Sequence, residues 1–194
     1  HYIDDNSYTK NTAKEALKIS SKNVILFFGL IRDYKGLDLL INSVKYLNGR
    51  ISDLKVLIVG ENYESMSKYY DLINRNKLED KFLFDLQFVE EYNIAKYFIS
   101  SDIVVLPYKT ASQSGIIPIA YNFNRPVIVT NVGGLKDYVV ENKTGFIVNP
   151  DEKDFSEKIN YFFENKLFEE MSLFIKNYKE KFSWKNFEEK INGR

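Results

Sequence analysis

Residues 111–134 read ASQSGIIPIAYNFNRPVIVTNVGG, an order of residue types that suits loop, helix, turn, strand and loop in turn. Ser112, Gln113, Ser114 and Gly115 make a small polar loop, and about Ile116 to Phe123 an apolar helix. Asn124 and Pro126 close a turn, Pro126 to Thr130 reads as a buried strand, and Gly133 and Gly134 open a second loop. A loop that runs into a helix N-terminus presents unpaired backbone N–H groups and the positive end of the helix dipole, and Gly115 has no side chain to hold a ligand away. The stretch therefore predicts an anion site, with phosphate the commonest occupant. Ser112 and Ser114 also suit simple N-caps, Ser112 above all. The loop from Asn131 to Gly134 falls at the C-terminal end of its strand, where open α/β sheets bind their ligands.

The flanking sequence repeats this alternation. Asn23 to Gly29 (NVILFFG), Leu54 to Gly60 (LKVLIVG) and Ile103 to Leu106 are continuous apolar runs, as expected of parallel strands buried on both faces. Within Lys81 to Val89, Phe82, Phe84, Leu86 and Phe88 alternate as in a strand. Phe146 to Val148, after the turn Lys143-Thr144-Gly145, supplies the last strand. Helical spacing is clearest at Leu37, Leu40, Ile41, Val44 and Leu47. Helices are also predicted over Glu64 to Arg75, Tyr92 to Ile99 and Leu135 to Glu141, and in the charged segments Asp151 to Glu164, Lys166 to Phe182 and Trp184 to Ile191. A short amphipathic pattern, Ala13, Ala16, Leu17 and Ile19, precedes the first strand. The expected fold class is α/β: one domain over 1–194, a doubly wound, Rossmann-like parallel sheet of about six strands in the order 3-2-1-4-5-6, with extra C-terminal helices.

Composition narrows the chemistry. A chain of 194 residues buries about 70% of its unfolded surface, enough for a core without disulfides or metals. Lys plus Arg and Asp plus Glu both number 27, so no global field favours nucleic acid or an anionic membrane. There is no Cys, and His1 is the only histidine. Thiolate catalysis, a Ser-His-Asp triad and a His-ligated metal are all disfavoured. No run of about 18 apolar residues marks a membrane span.

Leu30 to Gly36 (LIRDYKG) joins the first strand to its helix. Arg offers a planar donor fork and Lys a mobile point charge, so Arg32 and Lys35 at such a junction suit a pyrophosphate. On spacing alone they read equally well as solvated loop charges. Glu61 stands at the end of the second strand as either a cleft group or a turn residue, and Tyr108 as either core or cleft wall. Lys109 reads as an exposed lysine with no partner.

Taken together, SQSGIIPIAY, RPVIVTNVGGLKDYV and NKTGFIV resemble the donor-binding half of the retaining glycosyltransferases of family 4, which have the GT-B fold. That family carries two glutamates whose places here are Ala111 and Ile119, so the chain resembles a variant branch with a Gln-Ser-Gly turn. The resemblance covers about residues 10 to 192, including Phe182-Ser183-Trp184 near the end. It implies a C-terminal domain whose N-terminal, acceptor-binding partner domain is absent. Gly29, Arg32, Lys35 and Gly36 match the family's first loop, with Arg32 displaced from the commoner place now held by Leu30, and Asp137 matches an acidic residue after the Gly-Gly.

Further expectations follow from the resemblance. Arg32, Lys35 and the N–H groups around Ser114 and Gly115 would neutralise a departing diphosphate. Gly133 and Gly134 would give the ligand room, and Gln113 would bind ribose or sugar hydroxyls. The segment Phe88 to Glu91, Phe88 and Val89 foremost, would lie against the nucleotide base. The donor is a nucleoside diphosphate sugar, with no metal and no cofactor, and the acceptor a glycan or lipid-linked sugar. The implied activity is retaining hexosyl transfer in bacterial surface polysaccharide synthesis, in the cytoplasm, with peripheral contact at the inner face of the membrane an option for the full protein. A nucleotide-sugar-binding module without transfer activity, or half of a GT-B epimerase, are the alternatives.

Overall fold

Strands made wholly of Val, Ile, Leu and Phe have no polar face to offer water, and are stable only between two covering layers. The computed structural model, which describes residues 8–179, shows that arrangement. Six strands, β1 (Asn23–Phe28), β2 (Leu54–Val59), β3 (Phe82–Asp85), β4 (Ile103–Leu106), β5 (Val127–Thr130) and β6 (Gly145–Val148), form one sheet in the order β3-β2-β1-β4-β5-β6. All neighbours are parallel, with Ile25 opposite Val56 on one side and Ile103 on the other. The predicted order holds.

The pleat sends alternate residues to opposite layers. Ile25 and Phe27 join a core with Leu40, Ile41 and Val44 of α2 (Leu37–Leu47), Ile73 of α3 (Ser67–Asn76) and Phe155 and Ile159 of α6 (Glu152–Glu164). Val24 and Leu26 join another with Tyr97 and Phe98 of α4 (Ile94–Ser100), Ile117 and Ala120 of α5 (Ile116–Asn122) and Ile175 of α7 (Phe168–Tyr178). The first helix, α1 (Lys10–Ala16), packs beside α4. Among the described residues no helix is long and apolar enough to cross a membrane.

Some predicted boundaries shift. β3 stops at Asp85, not Val89, because its partner β2 ends opposite it at Val59 and Leu86 to Val89 have no strand to pair with. Leu135–Tyr138 is a single 3-10 turn that returns to extended backbone at Val139. Lys166, in the left-handed region at φ 53°, breaks the helix predicted from Lys166, so that α7 starts at Phe168. The predictions for Phe182-Ser183-Trp184 and for Trp184 to Ile191 fall outside the described residues.

At the N-terminal edge of the sheet, buried Asp102 accepts a hydrogen bond from the Val24 N–H (2.8 Å) and pairs with Lys10. Arg125, also buried, donates to the Ile99 carbonyl (3.2 Å), lies 4.9 Å over the Phe168 ring and, among the described residues, leaves its Nε unpartnered. These charges sit at the edge opposite the long loops.

Candidate functional site

Gly29 closes β1 with φ 108°, and a Cβ on Gly60, at the end of β2, would fall 2.3 Å from the Gly29 carbonyl oxygen. The two strand ends thus touch, and their loops run on together. Ile31 N–H donates to the Glu61 carbonyl (2.9 Å) and Tyr63 N–H to the Ile31 carbonyl (3.2 Å), extending the parallel pairing past the sheet. Ile31 is fully buried, and Arg32 beyond it is exposed, its guanidinium 4.8 Å from the centre of the Tyr63 ring.

Asp33–Lys35 form a 3-10 turn that ends on Gly36 at φ 67°. A Cβ on Gly36 would lie 1.9 Å from the Pro107 carbonyl oxygen, so this turn must pack bare backbone against the loop after β4. The contact turns Lys35 inward. Its side chain is buried, its ammonium lies 5.4 Å from the centre of the Tyr108 ring, and a Cβ on Gly29 would be 3.0 Å from it. Among the described residues Lys35 makes no ion pair. Burial pushes its pKa down to about 8, and the nearby Arg32 charge adds to the shift.

The facing wall comes from the loop after β4. Tyr108 is buried, and burial pushes its phenol up to about 12. Its hydroxyl is 3.4 Å from the Ser114 Oγ, and the Thr130 hydroxyl of β5 donates to its carbonyl at 2.6 Å. Tyr108 is therefore both core and cleft wall. Lys109 is not unpaired: its ammonium reaches Asp38 (2.8 Å) and Asp33 (3.2 Å), and its N–H donates to the Tyr34 carbonyl (2.7 Å). These bonds tie the loops after β1 and β4 into one unit.

Between them lies a cleft of about 450 Å³ lined by Tyr34, Lys35, Tyr108 and the whole of Thr110 to Ile116. No carboxylate is among the lining residues. Ala111, at the first glutamate position, lines it, whereas Ile119, at the second, is buried in the core under α5. Gly115 is the N-cap of α5, and neither Ser112 nor Ser114 caps the helix; the Ser114 Oγ instead accepts from the Ile116 N–H at 3.3 Å. Among the described residues the N–H groups of Gln113, Ser114, Gly115 and Ile117 have no acceptor. With α5 only seven residues long, these local donors outweigh any helix dipole.

The glycines divide by task. A Cβ on Gly115 would meet nothing within 4 Å, so the fold does not require glycine there. On Gly133 (φ 49°) it would lie 1.5 Å from the Ala111 carbonyl oxygen, and on Gly134 2.5 Å from that of Ser112. Gly134 N–H also donates to that Ser112 oxygen at 3.1 Å. This pair thus packs one loop on the other instead of lining the cleft.

Gln113 is exposed at the rim, and Asp137 is exposed beside Gly134. Phe88, 69% exposed, lies beyond the end of β3, while Val89 is half-buried against the core; neither lines the cleft. Sequence reasoning missed Tyr34 and Thr110 as lining residues and Tyr63 as the neighbour of Arg32. Tyr34 had one signal, its place between Arg32 and Lys35.

Fold and cleft together define a Rossmann-like α/β domain with an anion-ready site at the carboxyl edge of β1 and β4, the switch point of the strand order. The family model described as "Glycosyl transferases group 1" matches residues 9–181, and the chain belongs to that family. It is 31% identical over 131 residues to a D-inositol 3-phosphate glycosyltransferase of Paenarthrobacter aurescens, a match covering 64% of this chain and 31% of the relative. Sucrose-phosphate synthase from Thermosynechococcus elongatus superposes with a TM-score of 0.82 at 21% identity, over 96% of this chain and 48% of that one. HepE from Anabaena, solved in complex with UDP, gives 0.79 at 18% identity, over 89% and 48%. The fold is that of the GT-B glycosyltransferases. The chain spans about a third of the length of its curated relative and about half of these two structures.

Proposed function

We propose that this domain binds the nucleoside diphosphate sugar of a retaining, family 4 hexosyltransferase, and that the full protein passes the hexose to a glycan or lipid-linked acceptor in surface polysaccharide synthesis. On this reading 1–194 is the donor half, and the acceptor half lies elsewhere in the full protein. The observation that carries it is Lys35, a buried ammonium that among the described residues has no counter-ion, facing backbone donors that have no acceptor there. A dianion supplies what both lack. As the sugar–phosphate bond breaks, charge accumulates on the distal phosphate, so contacts that strengthen there lower the barrier. Lys35 and Arg32 are the cations for that role, with the N–H groups of Ser114 and Gly115 across the cleft from Lys35, and with them in place no metal is required. Retention suits a cleft without a carboxylate base, because the leaving phosphate can take the acceptor's proton. Gln113 reaches sugar or ribose hydroxyls as both donor and acceptor. The enzyme would act in the cytoplasm, at or near the inner membrane face.

A second reading, a module that binds the nucleotide without transferring sugar, is favoured by the missing carboxylates at Ala111 and Ile119. Calorimetric titration with UDP, GDP and ADP, each with and without magnesium, tests the common part. Micromolar binding of one of them without magnesium is the expected result, and binding of none would overturn the site. Release of free sugar from the matching nucleotide sugar would then separate enzyme from module.

A further inference from the structure

An exposed arginine spreads its charge over many rotamers, and confining it when a ligand arrives costs affinity. Arg32 is exposed, yet its guanidinium is seated on the Tyr63 ring at 4.8 Å. Tyr63 is itself 55% exposed, so burial does not account for where its ring stands. Backbone bonds do: its N–H donates to the Ile31 carbonyl (3.2 Å). Ile31 in turn donates to the Glu61 carbonyl (2.9 Å) and bridges to Asn62. Arg32 and Tyr63 therefore ride on two backbone segments zipped side by side. Among the described residues Arg32 has no ion-pair partner, so its charge stays available.

We propose that Tyr63 is a positioning residue for the donor site: its ring holds the Arg32 guanidinium at the outer start of the turn that carries Lys35 into the cleft, just outside the lining residues, so that a second cation stands ready for a nucleoside diphosphate. The proposal rests on the reading of the cleft as a diphosphate site. Arg32 is near enough for its charge to depress the Lys35 proton affinity, which agrees with the two cations sharing one target. The ring acts through stacking, so phenylalanine preserves the effect and leucine does not.

The test is calorimetry with UDP on this chain and on Tyr63→Leu, Tyr63→Phe, Arg32→Ala and the Tyr63→Leu/Arg32→Ala double variant. Tyr63→Leu is expected to weaken UDP about two- to fivefold, the range of an exposed cation–π contact. Tyr63→Phe stays near wild type, and the double variant binds no more weakly than Arg32→Ala alone. Additive losses, an unchanged Tyr63→Leu, or a Tyr63→Phe as weak as the leucine variant would overturn the proposal. A ligand-free readout keeps the two readings apart. The Lys35 ammonium, titrated by NMR, is expected to move up in Tyr63→Leu, in the same direction as in Arg32→Ala. If UDP fails to bind even the wild-type chain, the diphosphate site falls, while an unmoved Lys35 titration in Tyr63→Leu sinks the positioning role on its own.

Discussion

A buried ammonium without a counter-ion gives up its proton more readily than a solvated one, and Lys35 does so near pH 8. Its folded value lies below the ordinary lysine value of 10.5, so the burial cost weighs fully on the folded state below about pH 8. That cost is relieved as pH rises from there towards 10.5, and this one group makes the protein more stable across that window. Anion binding runs the other way. Diphosphate affinity is expected to fall steeply above about pH 8, because a terminal phosphate with a pKa near 6 is already ionised and only the protein titrates. Tyr108, in the same wall, stays neutral to about 12. Calorimetry in a pH series checks this, with Lys35→Ala expected to lose about 1.5–3 kcal/mol of binding at pH 7 and to flatten the series. Two glycines give a sharper contrast. Gly115→Ala should melt within about 0.5 kcal/mol of wild type yet weaken UDP binding, since its Cβ enters only the cleft. Gly133→Ala should cost about 1–3 kcal/mol in stability, because its Cβ strikes the Ala111 carbonyl and its φ is left-handed.

Elements were legible where their own residues settle them, and obscure where a distant partner does. The apolar strands announced a sheet covered on both faces, and the Gln-Ser-Gly loop before α5 announced the cleft. The end of β3 was hidden, since it is set by where β2 stops. Lys109 was misread for the same reason: Asp33 and Asp38, which hold it, lie far away in sequence. The inward aim of Lys35 depends on Gly36 meeting the Pro107 carbonyl, a contact no local pattern records. One such cross-element bond can be tested directly. Thr130→Val removes the hydroxyl that β5 donates to the Tyr108 carbonyl, and a buried carbonyl left unpaired should cost about 1–3 kcal/mol, read as a lower denaturation midpoint at unchanged m-value.

At the scale of the molecule the two edges of the sheet divide the labour. The carboxyl edge carries the buried lysine and the cleft, whereas the amino edge pairs Asp102 with Lys10 and holds Arg125 on the Ile99 carbonyl and over the Phe168 ring. Asp102→Ala is accordingly expected to lower stability by about 1–3 kcal/mol, as the Val24 N–H loses its acceptor, while leaving UDP affinity within twofold of wild type; a melt and a titration on the same variant decide it. The strand order also bears on how the chain folds. β1 finds β2 across a modest loop, residue 25 meeting residue 56, but must wait for residue 103 before β4 can close against its other side. Loop-closure entropy makes that second pairing the slower one. The β1–β4 seam thus joins parts of the chain far apart in sequence, and the cleft straddles it, with Lys35 on one bank and Ser114 on the other. A ligand gripping both banks acts as a brake on unfolding.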